Sequence, residues 1–273
     1  MSEAVSVDTG THELLCSVRD RVATITFNRP EARNSLSDHL TPALRRMIRQ
    51  MGDDPVIGAL VITGAGTAFC SGGDVKGMGG RGALKTETPF EEKVALLRER
   101  QRTLTGALVS LRKPTIAALP GPAAGAGLAI ALACDLRIAA ESAIMATGYA
   151  RIGLTGDYGV SWLLTRLAGT SRARELMFLA DKIDARRCEA LGLVNRVVPD
   201  ADLQSEAFAL ASRLANGPGA AYAAIKDNLD LALTADFLTS LDHEAENMVK
   251  AAGTAQHKEA VRAFVEKRPP NFG

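Results

Sequence analysis

The chain has 273 residues, of which 47% are apolar and 23% are charged, and its formal net charge is +1 at pH 7. A chain of this length and composition can bury a sizeable core, so it is predicted to be globular. Its 32 basic and 31 acidic side chains nearly balance, and no long run of like charge occurs. This argues against a nucleic-acid or membrane-surface protein, whereas a small neutral or anionic ligand is compatible with it.

The four cysteines are widely separated and form no Cys-X-X-Cys pair: Cys16, Cys70, Cys134 and Cys188. Neither a zinc knuckle nor a disulfide framework is indicated, and no His, Cys and Asp cluster has metal-ligand spacing. No apolar run approaches the roughly 18 residues of a membrane span, and the N-terminal residues lack the apolar segment of a secretion signal. We therefore predict a cytoplasmic protein with reduced thiols, no metal and no membrane contact.

The first part of the chain predicts a hairpin, a helix and a strand. Residues 14–18 and 22–27 flank a short polar turn, which suits a hairpin. Ser37 suits the N-cap of a helix whose apolar residues recur at helical spacing, and the segment 52–55 ends that helix. Residues 57–63 are apolar and rich in β-branched side chains, so they predict a buried strand.

Two glycine-rich turns, each between a predicted strand and a helical stretch, are the main feature of the sequence. The first turn covers residues 69–74, Phe-Cys-Ser-Gly-Gly-Asp, and the second covers residues 120–127, Pro-Gly-Pro-Ala-Ala-Gly-Ala-Gly. Residues 115–119 predict the strand before the second turn, and the apolar residues 128–133 predict a short buried helix after it. Such turns leave backbone N–H groups free where the helix dipole favours negative charge. Two of them facing one point would form an oxyanion hole.

A further glycine-rich segment, residues 77–82, lies between the first turn and a long helical pattern over residues 91–111. It is either a lid beside the proposed site or an ordinary surface loop, and the sequence does not choose between them.

The remaining strands and helices predict an α/β core followed by a helical part. Strands are predicted at 135–140, 143–146 and 193–198, and a helix is predicted over 160–167. Parallel strands separated by helices present their loops at one end of the sheet. We predict an α/β core over residues 1–200 and a helical region over residues 201–273 that serves oligomerisation.

Three segments resemble the crotonase superfamily of enoyl-CoA hydratases and isomerases, and they occur in the expected order: residues 28–36, 68–74 and 116–135. The resemblance implies a ClpP-like spiral of ββα units with a helical C-terminal part, assembled as a homotrimer or as a hexamer built from two trimers. It implies an acyl-CoA substrate. Coenzyme A is then part of the substrate, and no separate cofactor is expected.

The resemblance also places the thioester carbonyl oxygen of the substrate between the backbone N–H groups of Gly73 and Ala126. Reactions in this family develop negative charge on that oxygen as an enolate. Ala126 departs from the more usual glycine, but it can donate its N–H at a helix start if its φ is negative. We expect this oxyanion hole to function.

The other positions predicted to bind the substrate are Arg33, Ser71, Gly72, Asp74 and Gly125. Ser71 matches a position whose backbone carbonyl contacts adenine in the family. Arg33 either meets the phosphates of coenzyme A or is an ordinary solvated side chain. Asp74 either contacts the ligand or caps the helix after the first turn.

Hydratases of this family use two glutamates, and the matching positions here are Ala129 and Tyr149. Alanine cannot transfer a proton, and a phenol with an ordinary pKa of about 10 is a poor base at neutral pH. The sequence therefore argues against hydration by the two-carboxylate mechanism.

Asp157 resembles the position at which several isomerases of the family carry an acid. One carboxylate that removes a proton and returns it at another carbon suffices for isomerisation. The alternative for Asp157 is a helix N-cap, and for Tyr149 it is a packed aromatic side chain with a hydrogen-bonded tip. We predict a double-bond or ring isomerase with Asp157 as base and Tyr149 beside it. An atypical hydratase and a non-catalytic acyl-CoA-binding protein are the alternatives.

Overall fold

The computed structural model describes residues 3–73 and 88–272. Asp74 and the predicted lid or loop at residues 77–82 lie outside the described residues. The described part contains a seven-stranded sheet, a three-stranded sheet and helices on both faces of the larger sheet. This α/β architecture agrees with the fold class expected from the sequence.

The larger sheet begins antiparallel and continues parallel. Its strands, in spatial order, are β1 (Val5–Val7), β2 (Leu14–Arg19), β3 (Val22–Phe27), β4 (Ala59–Gly64), β5 (Thr115–Leu119), β7 (Leu136–Ala140) and β10 (Arg196–Val198). The smaller sheet consists of β6 (Ala123–Ala124), β8 (Ile144–Ala146) and β9 (Ile183–Asp184). The predicted hairpin is confirmed, because β2 and β3 pair antiparallel with Leu14 opposite Phe27. From β3 to β10 every pairing in the larger sheet is parallel.

The α-helices of the described residues are α1 (Leu40–Asp53), α2 (Phe90–Gln101), α3 (Ala107–Ser110), α4 (Ala126–Ala133), α5 (Val160–Leu179), α6 (Ala185–Ala190), α7 (Leu203–Ala215), α8 (Gly219–Ala232), α9 (Phe237–Ala252) and α10 (Ala255–Glu266). A π-helical turn, Arg102–Gly106, joins α2 to α3. The sequence predicts Ser37 as the N-cap of α1, but that position is taken by His39, which makes no side-chain cap hydrogen bond. The Oγ of Ser37 nevertheless accepts the N–H of Leu40, the first residue of α1, at 2.9 Å.

The larger sheet is buried on both faces because its side chains alternate between two apolar clusters. Leu60 and Ile62 of β4 belong to the cluster that includes α1 and α4, whereas Ala59 and Val61 belong to the cluster beneath α7. Central parallel strands covered on both faces are expected to be apolar throughout, as β4 and β5 are. The rigid sheet fixes the positions of the turns that follow its strands.

The helices beyond residue 200 differ in how they contact the sheet. Helix α7 packs on it and is buried along one stripe, whereas α8 and α9 contain no fully buried residue. Helix α8 is tied to the core by ion pairs, of Arg112 with Asp227 and Asp230 and of Lys226 with Asp135. The predicted division of the chain after residue 200 stays a prediction.

Within residues 3–73 and 88–272, no helix is long and apolar enough to cross a membrane. The predicted cytoplasmic location stays a prediction.

Candidate active site

The two glycine turns lie against each other through their main chains. The N–H of Ala124 donates to the carbonyl oxygen of Cys70 at 2.9 Å, and the N–H of Phe69 donates to the carbonyl oxygen of Pro122 at 3.0 Å. Cys70 and Ala123 form an isolated parallel bridge. Because β4 and β5 are parallel neighbours, the turns that follow them meet at the same edge of the sheet.

Glycine is required where the two turns approach most closely. A Cβ atom on Gly127 would lie 2.3 Å from the carbonyl oxygen of Cys70. Gly72 has a φ of +90°, and a Cβ atom there would lie 2.8 Å from the carbonyl oxygen of Ala124 and 3.5 Å from the nitrogen of Ala126. The backbone around Gly72 is therefore adjacent to the start of α4.

Both backbone N–H groups predicted to form the oxyanion hole are outside regular hydrogen-bond ladders. Ala126 is the first residue of α4, so its N–H has no partner within the helix. Its helical conformation supplies the negative φ that the sequence argument required. On the other turn, Leu36 donates to the carbonyl oxygen of Gly72 at 2.8 Å. In a parallel bridge of this kind the N–H of the paired residue, Gly73, points away from the ladder.

The loop after β3 supports the first turn. The N–H of Ser71 donates to the carbonyl oxygen of Arg33 at 3.0 Å, while the Arg33 side chain is exposed. The buried amide of Asn34 donates to the carbonyl oxygens of Ala65 and Ala68, at 3.0 and 2.7 Å. Asn34 belongs to one of the three motifs, yet the sequence assigned it no role. The structure shows that it fastens this loop to the turn after β4.

Tyr149 and Asp157 form a hydrogen-bonded pair beside the second turn. The phenol oxygen of Tyr149 donates to Oδ1 of Asp157 at 2.6 Å, and Tyr149 is only 6% exposed. A Cβ atom on Gly125 would lie 3.9 Å from that phenol oxygen. Gly125 directly precedes Ala126, so this pair is adjacent to the N-terminus of α4.

The pair is arranged so that the carboxylate is a stronger base than an exposed one. Burial raises the pKa of Asp157 above its ordinary value, and the hydrogen bond from Tyr149 partly offsets this rise. The pKa of Tyr149 is raised above its ordinary value, mainly by burial and to a smaller extent by the nearby charge of Asp157. Tyr149 therefore keeps its proton at neutral pH and acts as a donor toward Asp157.

These contacts decide between some of the alternatives left by the sequence. The Asp157 side chain does not cap α5, which has no side-chain cap and begins after Gly159. Tyr149 is packed with a hydrogen-bonded tip, but its partner is the predicted base itself. Ala129 is fully buried in α4 and carries no ionisable group.

The described residues of this region do not favour a cysteine nucleophile or a metal site. Burial raises the pKa of the Cys70 thiol to about 12, so this cysteine in the first turn is a protonated packing residue rather than a nucleophile. Among the described residues, no three His, Cys, Asp or Glu side chains are grouped so that they could hold a metal ion.

A cavity of about 540 Å³ lies beside the turn that carries Asp157. Leu154, Thr155 and Ser161 line it together with Met177 and Phe178 from the second half of α5. None of Gly73, Ala126, Tyr149 and Asp157 lines it, although Ala150 and Thr155, which are close to Tyr149 and Asp157 in sequence, do.

The comparisons with known proteins identify the family of the chain. The enoyl-CoA hydratase/isomerase family matches residues 17–273. A Rhodobacter capsulatus protein named "Probable enoyl-CoA hydratase" is 38% identical, with 96% of this chain and 98% of that protein covered. The 1,2-epoxyphenylacetyl-CoA isomerase of Escherichia coli is 35% identical, with 95% and 97% covered. A crystal structure of an enoyl-CoA hydratase from Polaromonas sp. JS666 has a TM-score of 0.88 at 32% identity, with 94% and 98% covered.

The chain therefore belongs to the enoyl-CoA hydratase/isomerase family of the crotonase superfamily. This membership supports an enzyme and is consistent with an acyl-CoA substrate.

Proposed function

We propose that this protein is an enoyl-CoA isomerase that moves a double bond, or rearranges an unsaturated ring, in an acyl-CoA thioester. The observation that carries the proposal is the buried Tyr149–Asp157 pair at 2.6 Å, next to the N-terminus of α4. The family resemblance places Ala129 and Tyr149 at the two hydratase positions, so we assign the proton transfers to the carboxylate of Asp157.

In this proposal the thioester carbonyl oxygen accepts hydrogen bonds from the N–H groups of Gly73 and Ala126. Electron density moves onto that oxygen when the adjacent carbon loses its proton, and the two donors stabilise the resulting enolate. One donor of this kind is worth about 3 to 4 kcal/mol in the transition state.

Asp157 performs both proton transfers. Its carboxylate takes a proton from one carbon of the acyl group, and the C–H electron pair enters the dienolate. The carboxylic acid then returns the proton to a different carbon, so the double bond moves and the carboxylate is regenerated. No cofactor besides the coenzyme A carried by the substrate is needed. Tyr149 holds the carboxylate in place through its hydrogen bond.

The remaining predicted positions suit coenzyme A binding. The Arg33 side chain is exposed and able to meet a phosphate, and Ser71 adjoins it through the main-chain hydrogen bond. At Gly72 and Gly125 the main chain would lie next to the thioester of the substrate. The role of Asp74 stays a prediction.

A hydratase is the second candidate, favoured by the name of the Rhodobacter capsulatus relative. In that case Asp157 would activate a water molecule for addition to the double bond, with Tyr149 as its hydrogen-bond partner. The E. coli relative is named as an isomerase at similar coverage, which supports the first candidate.

The test is mass spectrometry of 2-enoyl- and 3-enoyl-CoA incubated in deuterated water with wild type and with Asp157→Asn. We expect wild type to interconvert the two substrates and to introduce deuterium. Asp157→Asn should lower the rate by about 10²- to 10⁴-fold. Asp181→Asn, which changes an exposed aspartate paired with Arg151, is the matched control and should retain the rate.

Products heavier by one water would instead identify a hydratase. Tight acyl-CoA binding without conversion of either substrate would indicate a non-catalytic binding protein or a ring substrate.

We also propose that the protein is a homotrimer or a hexamer of two trimers, with α8–α10 in the subunit contacts. These helices expose large apolar side chains: Phe237 is 76% exposed, Met248 71% and Phe264 85%. We expect neighbouring subunits to cover these side chains, because large apolar patches on a protein surface mark interaction sites. Light scattering after gel filtration should give three or six chains, and Phe264→Glu should shift the mass toward one chain. A monomeric wild type would contradict the proposal.

A further inference from the structure

The backbone at Tyr158, immediately after Asp157, adopts an unfavourable conformation. Its φ is +51°, in the left-handed region, although Tyr158 is a bulky residue and is 8% exposed. A bulky side chain rarely occupies this region, and such conformations persist only where surrounding contacts hold them. The direction in which the Asp157 carboxylate leaves the main chain depends on this turn.

Gln101 supplies a contact that holds the turn. Its Oε1 accepts the backbone N–H of Tyr158 at 2.8 Å. Only the amide oxygen of a glutamine can accept such a bond, so the side chain has one orientation there. The two residues are 57 positions apart in sequence, and the bond therefore connects two separate elements of the fold.

Gln101 is the last residue of α2, directly before the π-helical turn at 102–106. Helix α2 has no buried residue, whereas Leu104 and Leu108 are fully buried. A π-helical turn adds one residue to the helical repeat and rotates the preceding turn relative to the following one. It allows a polar residue at 101 to reach Tyr158 while the leucines remain in the core.

We propose that Gln101 is a positioning residue that acts through the Tyr158 amide to orient the Asp157 carboxylate toward Tyr149 and the substrate. This inference rests on the proposed function. Gln101 is not a catalytic residue, because its contact is with the main chain after Asp157 and not with the reacting atoms.

The test compares Gln101→Met, which has similar size and no acceptor oxygen, with Gln101→Glu, which keeps an acceptor. Gln204→Met is the matched control, since Gln204 has one side-chain hydrogen bond, to Thr63, away from this turn. Gln101→Met should lower kcat about 10- to 100-fold with little change in KM, because a displaced base affects the chemical step. Gln101→Glu should recover most of this loss, and Gln204→Met should resemble wild type.

Hydrogen exchange of the peptide covering residues 154–163, measured by mass spectrometry, separates the possible failures. We expect faster exchange in Gln101→Met but not in Gln204→Met. Faster exchange with an unchanged kcat would overturn the positioning role and leave the proposed function standing. Unchanged exchange would overturn the contact itself. The wild-type protein could also protect this peptide from exchange and yet neither convert enoyl-CoA nor introduce solvent deuterium into it. That result would overturn the proposed function, and the role of Gln101 with it.

Discussion

The two sides of the candidate site are built from different parts of the chain. Gly73 and Ala126 contribute backbone N–H groups, which are positioned by main-chain contacts between the two glycine turns. Tyr149 and Asp157 contribute side chains. A backbone donor tolerates changes of side chain, as alanine at position 126 would illustrate in the proposed site, whereas a proton-transferring group disappears with one substitution. One fold can therefore keep its anion site and change its reaction.

Apart from Asp157→Asn, the largest effect should come from removing a backbone donor without disturbing the helix. Proline is well tolerated at the first position of a helix, so Ala126→Pro should leave α4 intact while it replaces the N–H by a ring carbon that cannot donate. We expect kcat to fall about 10²- to 10³-fold.

Ala126→Gly is the matched control, because it keeps the N–H and should retain activity. Circular dichroism establishes whether both variants are folded. A folded Ala126→Pro protein with normal kcat would show that this N–H is not a donor to the transition state.

A smaller effect is expected on the side-chain half of the site. Tyr149→Phe removes the donor to Asp157 but keeps the aromatic ring. A hydrogen bond to a charged group is worth about 1.5 to 3 kcal/mol, and we expect kcat to fall about tenfold at neutral pH. Tyr222→Phe serves as the control in steady-state assays. If Tyr149→Phe lowered kcat as much as Asp157→Asn does, this ranking would be contradicted. Such a result would indicate that Tyr149 takes part directly in proton transfer.

The smallest effect is a shift in pH dependence. Asp157 acts as a base only when deprotonated, so kcat/KM should rise with pH and level off above the pKa of Asp157. Burial raises that pKa, which places the midpoint of the rise above the ordinary value of about 3.9. Tyr149→Phe should move the midpoint further up, because the Tyr149 hydrogen bond lowers the pKa. A midpoint that moves down would contradict the assigned hydrogen bond.

The raised pKa of Asp157 affects the free energy of unfolding in the opposite direction, so that its contribution to stability falls as pH rises. A carboxyl group whose pKa is higher in the folded state binds its proton more tightly there. Its contribution to the free energy of unfolding is therefore largest at a pH below the pKa that Asp157 has in the unfolded chain. This contribution is lost as pH rises through the pKa that Asp157 has in the folded protein. Asp157→Asn should remove this part of the pH dependence in thermal unfolding experiments.

Sequence patterns predicted the sheet well where local chemistry and tertiary packing agree. The strands at 22–27 and 115–119 have the bounds expected from their apolar and β-branched side chains. The strand expected at 193–198 is shorter in the structure, where β10 begins at Arg196. Leu193 and Val194 are instead buried outside a strand, and an apolar run alone does not distinguish these cases.

The sequence by itself determined the two glycine turns, the apolar strands before them and the lack of a carboxylate at positions 129 and 149. These features depend on local backbone preference and residue type, which are read directly from the chain.

Only the tertiary structure decided which groups meet. The pairing of Tyr149 with Asp157 depends on an irregular turn, and the contact of Gln101 with Tyr158 joins segments 57 residues apart. The π-helical turn at 102–106 has no local signature comparable to a glycine turn. Contacts of this kind depend on how the whole core packs, so the position of the Asp157 carboxylate became visible only in the folded chain.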